Sequence, residues 1–236
     1  MQILVSVTSE EEVVEAVVGG ADIIDVKNTR EGSLGAAQPE TIRRIRKATP
    51  VDIPVSVAIG DAPPLPGTMA LAALGAASCG VEYVKVGLFG VKNLAEGEHM
   101  VRAVCQAARS VSPQIKVMVA GYADGGPFGA MPVADLPEAT ARGGADGCML
   151  DTIAKGGNSL FSFMDIEALQ CFVRRCKESG LATALAGRLG IGDVELLRKI
   201  KPDIAGFRSA VCGGDRTGGR VDADSVRRLK ALLNPA

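Results

Sequence analysis

The chain alternates short apolar runs with helix-like segments from end to end, and this alternation constrains its fold more than any other feature. The letters GGAD precede an apolar run at 19–22 and again at 143–146. Regular alternation of strands and helices indicates consecutive βα units around a parallel sheet. We predict strands at 3–7, 21–27, 53–58, 82–87, 115–120, 146–151, 182–186 and 204–208.

The segments between and after these strands are predicted to be helices. Pro39 suits the first turn of a helix, and Ser9, Asp193 and Asp222 lie near predicted helix starts, where such residues favour the helix dipole or cap. The predicted helices are 9–18, 39–48, 67–79, 93–110, 132–142, 164–179, 191–200 and 222–233.

Eight βα units in 236 residues predict an α/β fold, a single-domain (β/α)₈ TIM barrel that covers residues 1–236. An open, doubly wound sheet is the alternative architecture. No GxGxxG sequence follows the first strand to favour a dinucleotide-binding arrangement. The long, glycine-rich loops follow the strands, so the working face of the barrel is expected at the C-terminal ends of the strands.

Composition excludes several classes of partner. The formal charge is -1 and only 3% of the residues are aromatic, so we expect no nucleic-acid partner. Met1 leads directly into a strand-like run without a basic region, and no apolar run is long enough to cross a bilayer. These observations predict a cytoplasmic protein with no membrane partner.

Cysteine and histidine are poorly placed for metal or triad chemistry. The six cysteines are scattered without a CxxC pair, and we interpret them as reduced thiols that pack in the core. His99 is the only histidine and lies on a predicted helix, away from any strand end. A Ser-His-Asp mechanism and a histidine-based metal site are therefore not expected, and no metal is predicted.

Charged side chains end three of the predicted strands. Lys27, Lys85 and Asp151 close the second, fourth and sixth strands. Ionised groups are costly to bury, and side chains from alternate strands of a barrel meet in one layer, so we expect these three groups to converge at the mouth. Asp25 lies on the same face of its strand as Lys27, and Lys155 follows Asp151 by four residues.

Such a cluster favours amine catalysis on a small carbonyl compound. Neighbouring ammonium groups and desolvation both disfavour a charged lysine, so one amine can stay neutral and attack a carbonyl to form a Schiff base. A carboxylate or a second amine can then move protons, and the imine supplies the electron sink, so no cofactor is expected. The alternative is that the lysines only form structural ion pairs with Asp25 and Asp151. The residues alone do not decide which lysine forms the imine.

The last two units carry the features of a phosphate site. The sequences AGRLGIGD and GFRSAVCGGDRTGG follow the seventh strand and span the eighth, where barrels of this kind often bind phosphate through backbone N–H groups. A second segment, GSLGA at 32–36, is a candidate for another anionic group; plain turn glycines are the alternative for each loop. The phosphate-binding candidates are Gly187, Arg188, Gly190, Arg208, Ser209, Gly213 and Gly214.

With these residues in view, the chain resembles the family of (5-formylfuran-3-yl)methyl phosphate synthases, also called 4-(hydroxymethyl)-2-furancarboxaldehyde-phosphate synthases. The resemblance covers essentially the whole chain. Its most specific segments are DVKNTREGSLGA, EYVKVGLFG, MLDTIAKGGNSLF and FRSAVCGGDRTGGRVD.

The resemblance implies a barrel related to class I aldolases that condenses two molecules of glyceraldehyde 3-phosphate to a phosphorylated furan aldehyde, the precursor of methanofuran-type carriers. It also implies roles for individual residues. Lys27 is similar to the Schiff-base lysine of the family and Lys85 to its proton acceptor. Asp25, Asp151 and Lys155 match its supporting positions.

Two other functions remain open from the residues. Another Schiff-base aldolase acting on sugar phosphates would cleave its substrate reversibly without releasing phosphate. A non-catalytic barrel would bind a phosphorylated metabolite in the same pocket without turnover. In each case the partner is a small phosphorylated molecule such as an aldehyde, and a homo-oligomer is the default expectation for the assembly.

Overall fold

A computed structural model describes residues 1–61, 63–154 and 157–235. They form a closed barrel in which eight parallel strands follow one another in chain order and the last pairs with the first. The predicted fold class is confirmed. The strands are β1 Gln2–Val7, β2 Ile23–Val26, β3 Val55–Ala58, β4 Tyr83–Gly87, β5 Lys116–Tyr122, β6 Gly147–Asp151, β7 Ala182–Leu185 and β8 Ile204–Phe207.

A helix follows each strand and covers the outside of the barrel. The helices are α1 Glu10–Val18, α2 Pro39–Ala48, α3 Pro66–Ala77, α4 Leu94–Val111, α5 Leu136–Gly143, α6 Ile166–Glu178, α7 Val194–Ile200 and α8 Ala223–Leu233. Helices α5, α6 and α7 begin a few residues later than predicted. The predicted first turns of α5 and α7 contain 3₁₀ turns at 133–135 and 191–193, and another 3₁₀ turn at 160–162 precedes α6; such turns are frequent at the ends of α-helices.

Side chains cap several helices. The Asp222 carboxylate accepts a hydrogen bond from the backbone N–H of Ser225 at 2.8 Å, as the position of that carboxylate predicted. Pro39 occupies the first residue of α2, also as predicted. Ser9 precedes α1, but its side chain makes no capping hydrogen bond.

The strands bury both faces, which gives the barrel two apolar layers. The outer layer packs between strands and helices and includes Val5, Ile24 and Val57. The inner layer fills the lumen with side chains from alternate positions, including Leu4 and Met149.

The cysteines match the expectation of packed, reduced thiols. All six cysteines are free; Cys171 is half-buried and the others are buried. Among the described residues, no helix combines the length and the hydropathy that crossing a membrane requires.

Candidate active site

Lys27 follows β2 directly and lies in an open pocket at the C-terminal end of the barrel. Its side chain is buried, with 8% of its surface exposed. Asp151, the last residue of β6, contributes to the same pocket and is also buried. The pocket is lined further by Ser6, Thr152, Gly187, Arg188, Arg208, Ser209 and Arg216. The prediction that Lys27 and Asp151 meet at the mouth therefore agrees with the geometry.

Burial changes the protonation of Lys27. The loss of hydration lowers the pKa of its amine from 10.5 to about 8. The carboxylates of Asp151 and Asp25 oppose this shift, whereas the cations of Lys85 and Arg216 add to it. The low-dielectric surroundings outweigh the two carboxylates, so a substantial fraction of this amine is neutral near physiological pH.

Lys85 lies inside β4, which ends at Gly87 as predicted. Its amine is 2.6 Å from Oδ1 of Asp25, and its side chain and that of Asp25 are 2% and 0% exposed. Lys85 lines a small interior cavity whose wall shares Leu4 and Met149 with the pocket of Lys27. The expected convergence of Lys85 with Lys27 on one reacting carbon stays a prediction.

Asp25 links the two lysines electrostatically. Its Oδ1 pairs with Lys85, and its Oδ2 accepts a hydrogen bond from the Ser6 hydroxyl at 2.9 Å. The charges of both Asp25 and Lys85 act on the pKa of Lys27. Sequence reasoning did not select Ser6, although its position on β1, in register with Asp25, is the signal that could have found it.

The loop after β6 is held at its start by carboxylates. Asp151 Oδ1 accepts the backbone N–H of Thr152 at 2.7 Å. Asp124, from the loop after β5, accepts the N–H groups of Ile153 and Ala154, each at 2.7 Å. Asp124 was not selected from the sequence, because nothing in the GYADGG segment distinguishes a loop anchor from a turn residue. Lys155, the next residue of this loop, lies outside the described residues.

Besides Arg208, three phosphate-site candidates line the pocket: Gly187, Arg188 and Ser209. Gly187 has φ +97°, and a Cβ there would lie 2.9 Å from Cγ2 of Thr152, so the backbone approaches the start of the β6 loop as only glycine allows. Arg188 is a non-glycine residue with φ +54°, an uncommon conformation that often marks functional positions.

Other candidates are already engaged within the protein. The N–H of Gly190 donates to Asp193 Oδ2 at 2.8 Å, and the N–H of Gly214 donates to the Ser209 carbonyl at 2.8 Å. Neither glycine lines the pocket, and Gly213 does not line it either. The structure therefore favours the three residues that line the pocket over these glycines as phosphate ligands.

Arg208 belongs to the pocket wall, but its guanidinium is used internally. Nη1 is 2.7 Å from Oε2 of Glu12, with both side chains 5% exposed. Further hydrogen bonds go from Nε to the Arg216 carbonyl and from Nη2 to the Gly219 carbonyl, each at 3.0 Å. Arg208 thus anchors the loop after β8. Glu12 was not predicted, since in the sequence it is one of three consecutive glutamates.

Segment 32–36, the second predicted anion site, is also tied to neighbouring loops. The N–H of Leu34 donates to Asp61 Oδ2 at 3.0 Å, and the Ser33 hydroxyl donates to the Thr152 carbonyl at 2.5 Å. These two donors connect the loop after β2 to the loops after β3 and β6. The arrangement indicates a structural role for this segment and makes it a weaker anion site than predicted.

Comparison with known proteins decides the family. Residues 3–230 match the model of the 4-HFC-P synthase family. The (5-formylfuran-3-yl)methyl phosphate synthase of Methanothermobacter thermautotrophicus is 47% identical over 235 residues, which cover 99% of each chain. The chain belongs to the (5-formylfuran-3-yl)methyl phosphate synthase family. A synthase of the same name from Methanocaldococcus jannaschii is 46% identical over 98% of this chain and 99% of its own.

As a member of this synthase family, the chain is an enzyme, and solved structures of other proteins share its fold. KGPDC from Streptococcus mutans matches with a TM-score of 0.68 at 14% identity, over 98% of this chain and 96% of its own. The 3-hexulose-6-phosphate synthase from Salmonella typhimurium matches with a TM-score of 0.64 at 18% identity, over 99% and 100%. At these identities the likeness concerns the barrel alone.

The described residues offer little to a metal ion. Among residues 1–61, 63–154 and 157–235, no group of three or more histidine, cysteine, aspartate or glutamate side chains is placed to hold one. The site provides the buried amine of Lys27 in one pocket with the carboxylate of Asp151, and arginines line the same pocket. The ion pair of Asp25 and Lys85 lies in the barrel interior.

Proposed function

We propose that the chain is a lyase that condenses two molecules of glyceraldehyde 3-phosphate to (5-formylfuran-3-yl)methyl phosphate, through a Schiff base on Lys27, with release of phosphate and water. The step would belong to the biosynthesis of methanofuran-type cofactors. Membership of the synthase family supports the product. The observation that carries the mechanism is the buried Lys27 amine, with a pKa of about 8, in one pocket with Asp151.

The lowered pKa makes Lys27 a usable nucleophile. With a pKa of about 8, roughly a tenth of the amine is neutral at pH 7, about 300-fold more than for a lysine at 10.5. The neutral nitrogen attacks the substrate carbonyl carbon, and the resulting carbinolamine loses water to give a protonated imine. Burial thus supports catalysis by removing the proton that would block attack.

Proton transfers follow from the groups around the imine. The protonated imine acidifies the adjacent C–H bond, and a base takes that proton to leave an enamine. A carbon–carbon bond then joins the two molecules at a carbonyl carbon, and loss of one phosphate, ring closure and loss of water complete the furan aldehyde. Asp151 lines the same pocket and is our candidate for this exchange. Lys85, the proton acceptor that the resemblance implies, would accept a proton after passing one of its own to the carboxylate of Asp25, with which its amine pairs. The role of Lys155 stays a prediction.

Phosphate recognition is assigned to the pocket rim. Gly187, Arg188 and Ser209 lie where the loops after β7 and β8 meet. Backbone N–H groups and a guanidinium suit a phosphate, which is an anion with several acceptor oxygens. A phosphorylated aldehyde held there would lie in one pocket with Lys27.

Product analysis tests the proposal. The chain is incubated with glyceraldehyde 3-phosphate, the furan aldehyde is sought by mass spectrometry, and inorganic phosphate is measured in parallel, with Lys27→Arg as the control. We expect furan and phosphate in equal amounts from the natural chain and neither from the variant. A sugar phosphate formed without phosphate release would instead indicate an ordinary aldolase, and binding without turnover would indicate a sensor. The cytoplasmic location and the homo-oligomeric state stay predictions.

A further inference from the structure

Arg216 brings a positive charge to the pocket from the loop after β8. It lines the pocket together with Lys27 and Asp151. Its side chain is half-buried, and its Nη2 donates to the Gly32 carbonyl, in the loop after β2, at 3.2 Å. Arg216 therefore connects the loop after β8 to the loop after β2, which begins at Lys27.

The backbone that carries Arg216 is held firmly. Its carbonyl accepts from Nε of Arg208, which is itself anchored by the buried ion pair with Glu12. Next to it, Asp215 Oδ1 accepts the N–H groups of Thr217 and Gly218, each at 2.9 Å. The protein thus uses one arginine and two carboxylates to present the side chain of another arginine.

The guanidinium of Arg216 keeps most of its donor capacity. An arginine has five N–H donors, and within the part of the chain that the structure describes, Arg216 makes one side-chain hydrogen bond and no ion pair. Arg208, by contrast, makes four internal hydrogen bonds. A half-buried cation with unused donors in a pocket is suited to a substrate anion, and a planar guanidinium binds phosphate in bidentate fashion.

We propose that Arg216, and not Arg208, is the arginine of the β8 loop that binds the phosphate group of the substrate whose carbonyl meets Lys27. The identity of that substrate rests on the proposed function. The contact also gives Arg216 a positioning role, because fixing the phosphate fixes the carbonyl relative to the amine.

Arg216 also contributes to the reactivity of Lys27. The charged groups that act on Lys27 are Asp25 on its own strand, Asp151 on β6, Lys85 on β4 and Arg216. The two carboxylates raise the pKa of Lys27, and the two cations lower it. Removing the guanidinium should therefore move the reaction of Lys27 to higher pH, an effect that loss of a purely structural contact would not produce.

The test compares Arg216→Ala and Arg216→Lys with Arg220→Ala, a matched control on an exposed arginine of the same loop. With glyceraldehyde 3-phosphate as substrate, we expect KM to rise roughly ten- to hundredfold in Arg216→Ala, because the charged hydrogen bonds to the phosphate are lost. In Arg216→Lys we expect KM to recover partly, because a positive charge is kept. Inhibition by inorganic phosphate should weaken in the same order. Arg220→Ala should match the natural chain.

A second readout separates binding from folding. With unphosphorylated glyceraldehyde and borohydride, at a pH above the Lys27 pKa of about 8, Arg216→Ala should trap the aldehyde on Lys27 as well as the natural chain does. As the pH is lowered from there, trapping by Arg216→Ala should decline at a higher pH than trapping by the natural chain. If KM, phosphate inhibition and the pH profile of Arg216→Ala all equal those of Arg220→Ala, the inference is wrong. If instead the natural chain forms no furan and no adduct, the proposed function fails, whatever the Arg216 variants do.

Discussion

The buried ion pair of Asp25 and Lys85 allows a quantitative test of the interior of the site. The two charged atoms are 2.6 Å apart, and neither side chain is more than 2% exposed. Asp25→Asn keeps the shape and the acceptor for Ser6 but leaves the Lys85 ammonium in the lumen without its counter-charge. Removing one partner of a buried pair costs about 3–5 kcal/mol. We expect the free energy of unfolding to fall by that amount.

The assay is urea unfolding at neutral pH, followed by circular dichroism and extrapolated linearly to water. Lys85→Met and the double variant Asp25→Asn/Lys85→Met complete a thermodynamic cycle. Ser6→Ala serves as the control that removes an uncharged hydrogen bond to Asp25, and it should lower the free energy of unfolding by about 1 kcal/mol. The double variant should be more stable than Asp25→Asn alone, because the unpaired charge is gone. The reasoning is refuted if Asp25→Asn costs less than about 1 kcal/mol or if the two single effects add without coupling.

Three further predictions concern the pocket and its supports. Lys27→Met should raise the free energy of unfolding by up to about 3 kcal/mol at pH 7, since each pKa unit of the shift from 10.5 to about 8 costs roughly 1.4 kcal/mol. The pKa of Lys27 is lower in the folded state, so the cost of burying its amine is full below pH 8 and fades as the pH rises towards 10.5. Thermal melts across this range should show the stability gained by Lys27→Met shrinking, and a gain independent of pH would contradict the assigned cause. Glu12→Ala should cost about 3–5 kcal/mol because it leaves the buried Arg208 guanidinium without its counter-charge, whereas Glu11→Ala on the exposed neighbour should leave the free energy of unfolding nearly unchanged; equal losses in urea melts would argue against the anchor. Gly187→Ala should destabilise the protein by more than about 1 kcal/mol and weaken substrate binding, because φ is +97° and a Cβ would lie 2.9 Å from a neighbouring side chain; an unchanged Tm and KM would show that the backbone tolerates the change.

The sequence was sufficient for the architecture because the βα period repeats eight times with few exceptions. It also singled out Lys27 and Asp151 as site candidates, since a charged residue at the end of an apolar run is costly unless a shared site uses it, and the two line one pocket. For Lys85 the residues left open whether it pairs with Asp25, and the fold shows that ion pair.

The supporting residues could not be found in the same way. Glu12 is a surface-like glutamate in the sequence and becomes buried only because the chain closes and brings Arg208 against α1, 196 residues away. Arg216 and Arg208 lie in one glycine-rich segment, and only the fold shows which guanidinium is consumed by internal bonds. Long-range pairing of this kind leaves no local pattern to detect.

Covalent trapping on the proposed nucleophile tests the central claim most directly. The natural chain is incubated with glyceraldehyde 3-phosphate and sodium borohydride, and the adduct is located by peptide mass spectrometry, with Lys27→Arg in parallel. We predict a single reduced adduct on Lys27 that forms more readily as pH rises through about 8 and is absent from the variant. An adduct on Lys85, or turnover to the furan without any trapped imine, would contradict the account.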